Sequence, residues 1–373
     1  MSEIENRLEA LRNKRGLSAI QLAKIVGVSR QTIYAIEGGA YVPNTTIALK
    51  LARALDASVD ELFALPSGEP LTELRTEEAS LLSGSEAPSA GQTVQLCQVD
   101  KKLIASVPSP LPWYFPASDA VIETSKVREA KARVRVFDPA DEFGNRILVA
   151  GCDPGISVLA RHTLAAGVEL VLAHRNSSQA LELLKEGSVH IAGTHLRDDT
   201  SGESNLPEIS RLFGRNAVAV ITFAVWEEGI VVARANPKDI KGIEDLGRPD
   251  VMLVNREKGA GSRTLLDMHL RRLKIDAKQV HGYSQTAPGH LAAAWRVLSG
   301  AGDCCIATRA AARVFGLGFI PLVSERYDLA IRRRHLDLPG VQALLDTLGR
   351  TGFRRELEGL GGYDTASAGR RML

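Results

Sequence analysis

Apolar residues in the first 65 positions recur at three- and four-residue spacing, the period of a helix with one buried face. Ile4, Leu8 and Leu11 mark such a face over residues 3–14; Leu22, Ala23 and Val26 mark a second; Ile33 and Ile36 mark a third. Ile47, Leu51 and Leu55 predict a fourth helix over 45–56, and Val59, Leu62 and Phe63 a short fifth. Pro, Ser and Gly then dominate, which predicts a linker over 67–91 with a short helix near 71–82. Residues 93–99 alternate like a strand, and 102–107 fit its hairpin partner about Asp100-Lys101; 121–122 and 132–137 are further strands. The proline-flanked cluster Trp113-Tyr114-Phe115 reads as buried packing. From residue 147 short apolar runs alternate with helical segments. Strands are expected at 147–151, 168–173, 189–193, 217–222, 230–233, 251–254, 304–307, 318–323 and 327–332. Repeated βαβ units predict a largely parallel sheet covered by helices on both sides. The last dozen residues are expected to fray.

The chemistry of the second and third helices is specific. Ser18 is placed to cap the second helix, and Gly27 to end it in a left-handed conformation that only glycine adopts cheaply. Ser29 caps the third, whose early polar positions are Arg30, Gln31, Thr32 and Tyr34. A helix, a tight turn and a second helix with a hydrogen-bonding N-terminal face suit the major groove, where Arg can pair with guanine and Gln with adenine. Residues 3–65 resemble the Xre/Cro/lambda-repressor family of helix-turn-helix domains. The likeness continues through Ile36-Glu37-Gly38-Gly39, Pro43-Asn44, the run 48–55 and Asp60-Glu61-Leu62-Phe63. It implies a five-helix domain on double-stranded DNA, with Ser29, Arg30, Gln31, Thr32, Tyr34 and Asn44 as contact residues. Ala19 stands where the family usually has Gln, and Gly39-Ala40-Tyr41-Val42 where basic residues are common.

Composition refines this picture. A chain of 373 residues with 45% hydrophobic content supports two or three domains with full cores. Net charge is +2, and the first 66 residues carry eight Lys/Arg against seven Asp/Glu, so affinity for one half-site should be weak. A homodimer on a two-fold operator would remedy that. Cys97, Cys152, Cys304 and Cys305 lack metal-type spacing, and a reduced cytoplasm is the expected compartment. No signal peptide opens the chain and no apolar run suffices to span a membrane.

Three polar loops follow strands in the C-terminal part: Asp153 to Ser157, Asn176-Ser177-Ser178, and Asn255-Arg256 through Gly261-Ser262-Arg263. In open α/β sheets ligands sit beyond strand ends, and helix N-termini offer N–H groups to anions. The spacing matches neither a P-loop nor a dinucleotide fingerprint. Residues 147 to about 335 resemble the type II periplasmic-binding-protein fold. More narrowly they resemble its cytoplasmic form fused to helix-turn-helix domains. The narrow likeness rests on residues 192–196, 200–207 and 255–263, with Ser204 where an aromatic is usual before Asn205. It implies two lobes closing on a small, anionic ligand, a molybdate- or tungstate-like oxyanion or a related metabolite; the polar loops and this likeness together give Asp153, Ser157, Asn176, Ser177, Ser178, His195, Asn205, Asn255, Arg256, Gly261, Ser262 and Arg263 as its contacts.

No metal site is expected, because His174, His190 and His195 are not spaced like one coordination sphere and Asp153 is their one nameable acid partner. No catalytic triad or paired carboxylates stand out, and no cofactor is called for. The fold class is therefore multidomain: an all-α five-helix helix-turn-helix domain at 1–66, a linker at 67–91, a small β-rich connecting module at 92–146 and an α/β two-lobed domain at 147–373. The reading is a one-component transcription regulator. Two rivals stay open: a molybdenum-cofactor-pathway enzyme with an appended DNA-binding domain, and a ligand-independent dimeric repressor.

Overall fold

A computed structural model describes residues 5–64, 75–83, 89–108, 117–126, 129–138, 143–197, 203–214 and 216–373. The chain forms two compact units, Met1–Glu73 and Leu74–Leu373. The first holds five helices, Leu8–Lys14, Ala19–Val26, Arg30–Glu37, Thr45–Leu55 and Val59–Leu62. Leu8, Leu22, Ile33, Ile36, Leu51 and Leu55 meet in its core, as the helical period predicts. A buried ion pair braces it: Arg12 Nε and Nη2 donate to the two Glu37 oxygens at 2.6 and 3.1 Å, tying the first helix to the third.

The second unit begins with a closed five-stranded barrel. Its strands are Thr76–Leu81, Thr93–Val99, Lys102–Ser106, Ala120–Lys126 and Lys131–Val136. Thr76–Leu81 corrects the helix expected near 71–82: Ala79 is its buried position, filling the barrel with Val94, Leu96, Ile122 and Val134. The stretch 67–91 thus contributes a strand to the β-rich module. Trp113-Tyr114-Phe115 lies outside the described residues.

Two lobes follow, sharing one nine-stranded sheet. The first lobe holds parallel strands Arg146–Gly151, Glu169–His174 and Ile191–Thr194. The second holds parallel strands Leu253–Arg256, Thr286–Ala287 and Cys304–Thr308. Between them run Val218–Val232 and Gly318–Arg332, paired antiparallel from Val218↔Arg332 to Val232↔Gly318, with register shifts at Thr222/Ala224 and Glu228/Gly229. Each was expected as two shorter strands. Each is one continuous strand that starts in one lobe and ends in the other, so the sheet is mixed rather than largely parallel.

The C-terminus is docked rather than frayed. Tyr363–Asp364 pairs with Val225–Trp226, the Gly369 amide donates to Thr222 O at 2.8 Å, and the Met372 amide donates to Val220 O at 2.7 Å. The segment lies along the open edge of a crossing strand, where its backbone groups find partners.

His190 ties this lobe to pH. Its Nδ1 accepts the Leu148 N–H at 3.0 Å, which requires that nitrogen to be unprotonated. Burial, then the neighbouring His335, push its pKa down to about 4, with Asp100 opposing. A folded pKa below the unfolded value near 6.5 means stability is complete above about pH 6.5 and lost as pH falls toward 4. At about 1.4 kcal/mol per unit the loss is roughly 3 kcal/mol. Urea unfolding should show the wild type weakening more steeply than His190→Asn across that window.

Candidate functional sites

On the first unit, Ser18 caps its helix in a reciprocal box with Gln21, and Gly27 takes φ 78°. Ser29 caps Arg30–Glu37 by accepting the Thr32 N–H at 3.0 Å and also meets the Thr32 hydroxyl at 2.8 Å. Arg30 and Gln31 project into solvent at the start of this helix. Arg30 lies over the Tyr34 ring and donates to its hydroxyl at 3.2 Å, so the two form one polar ridge. Asn44 caps the next helix by accepting the Ile47 N–H at 2.9 Å. Local capping thus fixes the face that presents Arg30, Gln31 and Tyr34.

The second site lies where the crossing strands pass between the lobes. Trp226 and Glu228 project from Val218–Val232, and Glu325 and Tyr327 from Gly318–Arg332. Cys152 and Asp153 follow the first lobe's strand Arg146–Gly151, and His195 follows Ile191–Thr194. Arg256 ends Leu253–Arg256, Ser262 opens the helix Gly261–Leu273, and His290 opens Gly289–Leu298, all in the second lobe. All of these side chains are buried. Cys152 Sγ lies 3.5 Å from His195 Nε2 and 3.8 Å from His290 Nε2. His195 Nδ1 lies 3.1 Å from Glu325 and 3.7 Å from Glu228. The indole of Trp226 packs edge-on against both imidazoles, at 4.7 and 5.0 Å between centroids.

The pocket is under electrostatic tension. Burial and then the neighbouring Glu325 push Glu228 up to about 7, while His195 and Ser262 favour its charged form. Burial raises Asp153 to about 6, held back by hydrogen bonds from Tyr363 (2.5 Å) and the Gly155 amide (2.7 Å). Burial opposes a proton on His195, yet Cys152, Glu325 and Glu228 outweigh it and hold the imidazole well above its usual value. His290 is pushed well below by burial, Arg256 and His195. Arg256 is fully buried and its charge is met by both Glu257 oxygens, at 3.1 and 3.2 Å. Among the described residues, neither Glu228 oxygen, nor Trp226 Nε1, His290 Nδ1 or Asp153 Oδ2, has a hydrogen-bond partner. Buried polar atoms left this way are costly unless a ligand answers them.

Of the ligand contacts expected from sequence, Asp153, His195, Arg256, Gly261 and Ser262 come together here. Ser177 supports them, accepting the His195 N–H at 3.1 Å. Asn176 caps Ser177–Glu186 and reaches across to Lys258 O at 3.3 Å, joining the lobes, and the Ser178 amide does likewise to Gly259 O at 3.4 Å. Ser157 is exposed and bonded to Pro154 O, away from the pocket. Asn205 is committed elsewhere: it accepts the Leu196 N–H at 2.6 Å and donates to Arg326 O and Asp328. Asn255 is held by Tyr283 O and the Arg256 N–H, and Arg263 stacks on Tyr283 at 3.9 Å. Cys152, Trp226, Glu228, His290, Glu325 and Tyr363 were missed; the available signal was the short polar interruptions Glu227-Glu228 and Ser324-Glu325-Arg326 in apolar runs. His174, His190 and His195 do not share one site. The fold instead sets His190 against His335, 5.1 Å between ring centroids, and groups His195 with His290 and Cys152.

These observations define a class: a helix-turn-helix unit joined to a two-lobed scaffold with a buried polar cluster between its lobes. The chain belongs to the PBP superfamily, whose domain model matches residues 160–349, and a helix-turn-helix model matches residues 8–62. The uncharacterized protein YvgK of Bacillus subtilis (strain 168) is 31% identical over 247 residues, covering 66% of this chain and 79% of that protein. The uncharacterized HTH-type transcriptional regulator YgzD of the same organism is 40% identical over 62 residues, 17% of this chain and 94% of its own. Among solved structures, the sulfate-binding protein SubI of Mycobacterium tuberculosis H37Rv aligns with a TM-score of 0.48 at 16% identity, covering 59% of this chain and 86% of that one. Among the described residues no helix is long and apolar enough to cross a membrane.

Gly261 sits where the lobes meet. A methyl group there would run into the backbone oxygen and ring of His195. Gly261→Ala should destabilise the second unit by about 1–3 kcal/mol in urea unfolding followed by tryptophan fluorescence. Gly144→Ala, which meets no atom within 4 Å, should be near neutral.

Proposed function

We propose that this chain is a cytoplasmic one-component transcription regulator. Its helix-turn-helix unit binds a two-fold operator as a homodimer, and its interlobe pocket takes a small effector that changes operator affinity. The observation that carries this reading is the buried cluster of unpartnered polar atoms drawn from both lobes and the crossing strand Val218–Val232. Closing two lobes around a ligand is a recurrent switching motion. Coupling of about 1–3 kcal/mol would give roughly 5- to 150-fold regulation. An oxyanion effector is supported by Arg256, Ser262 and the N-terminus of Gly261–Leu273. Glu228, Glu325 and Asp153 in the same pocket oppose a multiply charged free anion.

The DNA side is tested on an operator selected from random duplexes by the full chain. If Gln31 reads a base, Gln31→Ala should weaken that operator by about 1–3 kcal/mol and leave non-specific binding nearly unchanged. Retention of the wild-type sequence preference would remove Gln31 from the reading face.

A further inference from the structure

The pocket holds a set of soft and borderline donors that an oxyanion does not need. Cys152, His195 and His290 each offer a donor atom, and these lie within 4.8 Å of one another. Around a tetrahedral zinc-class ion, a thiolate at about 2.3 Å and an imidazole at about 2.05 Å stand roughly 3.5 Å apart. The Cys152 sulfur lies 3.5 and 3.8 Å from the two Nε2 atoms, close to those edges.

The outer nitrogens point the same way. Metal-bound imidazoles usually offer their second nitrogen to a carboxylate, which fixes tautomer and orientation. His195 Nδ1 faces Glu325 at 3.1 Å. Glu228 sets Oε2 3.7 Å from His195 Nδ1 and Oε1 3.9 Å from His290 Nδ1, both beyond hydrogen-bond distance. The buried guanidinium of Arg256 is balanced by Glu257, which leaves Glu228 and Glu325 as the carboxyls beside the two imidazoles.

A Cys152–His195–Glu325 line also has the connectivity of nucleophile, base and carboxylate. The second imidazole on the same sulfur, and full burial of the thiol, favour a ligand set over a nucleophile.

We propose that the interlobe pocket binds one divalent cation of the zinc class through Cys152 Sγ, His195 Nε2 and His290 Nε2, with Glu325 and Glu228 as positioning carboxylates. Binding releases the thiol proton as the sulfur–metal bond forms, and the Nε2 proton of His195 as the nitrogen–metal bond forms. Thiolate and imidazole ligands select against magnesium and calcium. Three protein ligands leave a fourth position open. Two ligands come from one lobe and one from the other, so the ion holds the lobes together. Its role as signal rests on the pocket being the effector site of the regulator.

The test uses chelator-treated full-length protein titrated with Co²⁺. One equivalent should bind, with a thiolate-to-cobalt absorption band and the visible bands of a four-coordinate ion, all displaced by Zn²⁺. Cys152→Ser should abolish the thiolate band and weaken affinity at least tenfold, with near-UV dichroism of the aromatic side chains checking the fold. His290→Asn carries the same expectation of weakened binding should the serine variant not fold. Glu325→Gln should retain the band and weaken binding about 10- to 100-fold. No saturable uptake by the wild type, or a thiolate band that survives Cys152→Ser in a folded protein, overturns the site. Uptake is read without DNA, so it stands apart from the regulatory reading. Operator affinity that changes between ion-loaded and ion-free protein supports the ion as signal. Unchanged operator affinity with intact one-equivalent uptake keeps the site and refutes that role.

Discussion

Two fifteen-residue strands, Val218–Val232 and Gly318–Arg332, run antiparallel through both lobes, and the pocket exists because of where they cross. Val218–Val232 is apolar and buried at both ends and Gly318–Arg332 at its Leu329–Ile331 end, with Phe223, Leu329 and Ile331 in one lobe core and Ile230 and Val232 in the other. At the crossing the side chains change character to Trp226, Glu228, Glu325 and Tyr327. The register shift beside Glu228 lets the carboxylate enter the pocket while the strand continues its ladder. Every other pocket group is brought to this crossing by a strand end or a helix start.

The chemistry set there is expensive to keep. Buried carboxyls and imidazoles without full hydrogen bonding lower stability, and a scaffold of this kind could have packed Leu or Val instead. The structure answers part of the cost with specific contacts: Tyr363 and the Gly155 amide on Asp153, Glu257 on Arg256, and Glu325 on His195. What remains is a group of atoms that only a bound species would satisfy. The close approach of Gly261 to His195, and the bonds from Asn176 and Ser178 to the 258–259 backbone, show the lobes already in contact around it.

The N-terminal unit was legible because its signals are local. Ser18, Gly27, Ser29 and Asn44 act within three or four residues of themselves, and each occupies the cap that its residue type suggests. The lobes were legible as alternating strands and helices for the same reason. The crossing strands were not. Glu227-Glu228 and Ser324-Glu325-Arg326 interrupt apolar runs, and the interruption reads as two strand ends when it marks one strand passing a polar pocket. Loop residues were half readable: Arg256, Gly261 and Ser262 stand at a strand-to-helix turn and reach the site, whereas Asn205 and Asn255 look alike in sequence but bond backbone and Asp328 instead. His290 and Cys152 are 138 residues apart, and only the fold places them together. The docking of the last residues escaped notice because a short polar tail carries no periodicity.

Coupling is reciprocal: if pocket occupancy changes operator affinity, operator binding must shift the same equilibrium in the pocket. Hydrogen exchange of the full chain, with and without its selected operator, reads this directly and needs no knowledge of the effector. The account predicts altered exchange of the crossing-strand amides at Trp226 to Gly229 and Glu325 to Tyr327 when DNA is bound. Exchange changed only at the reading helix, with the crossing strands untouched at saturating operator, would contradict a regulator switched through this pocket.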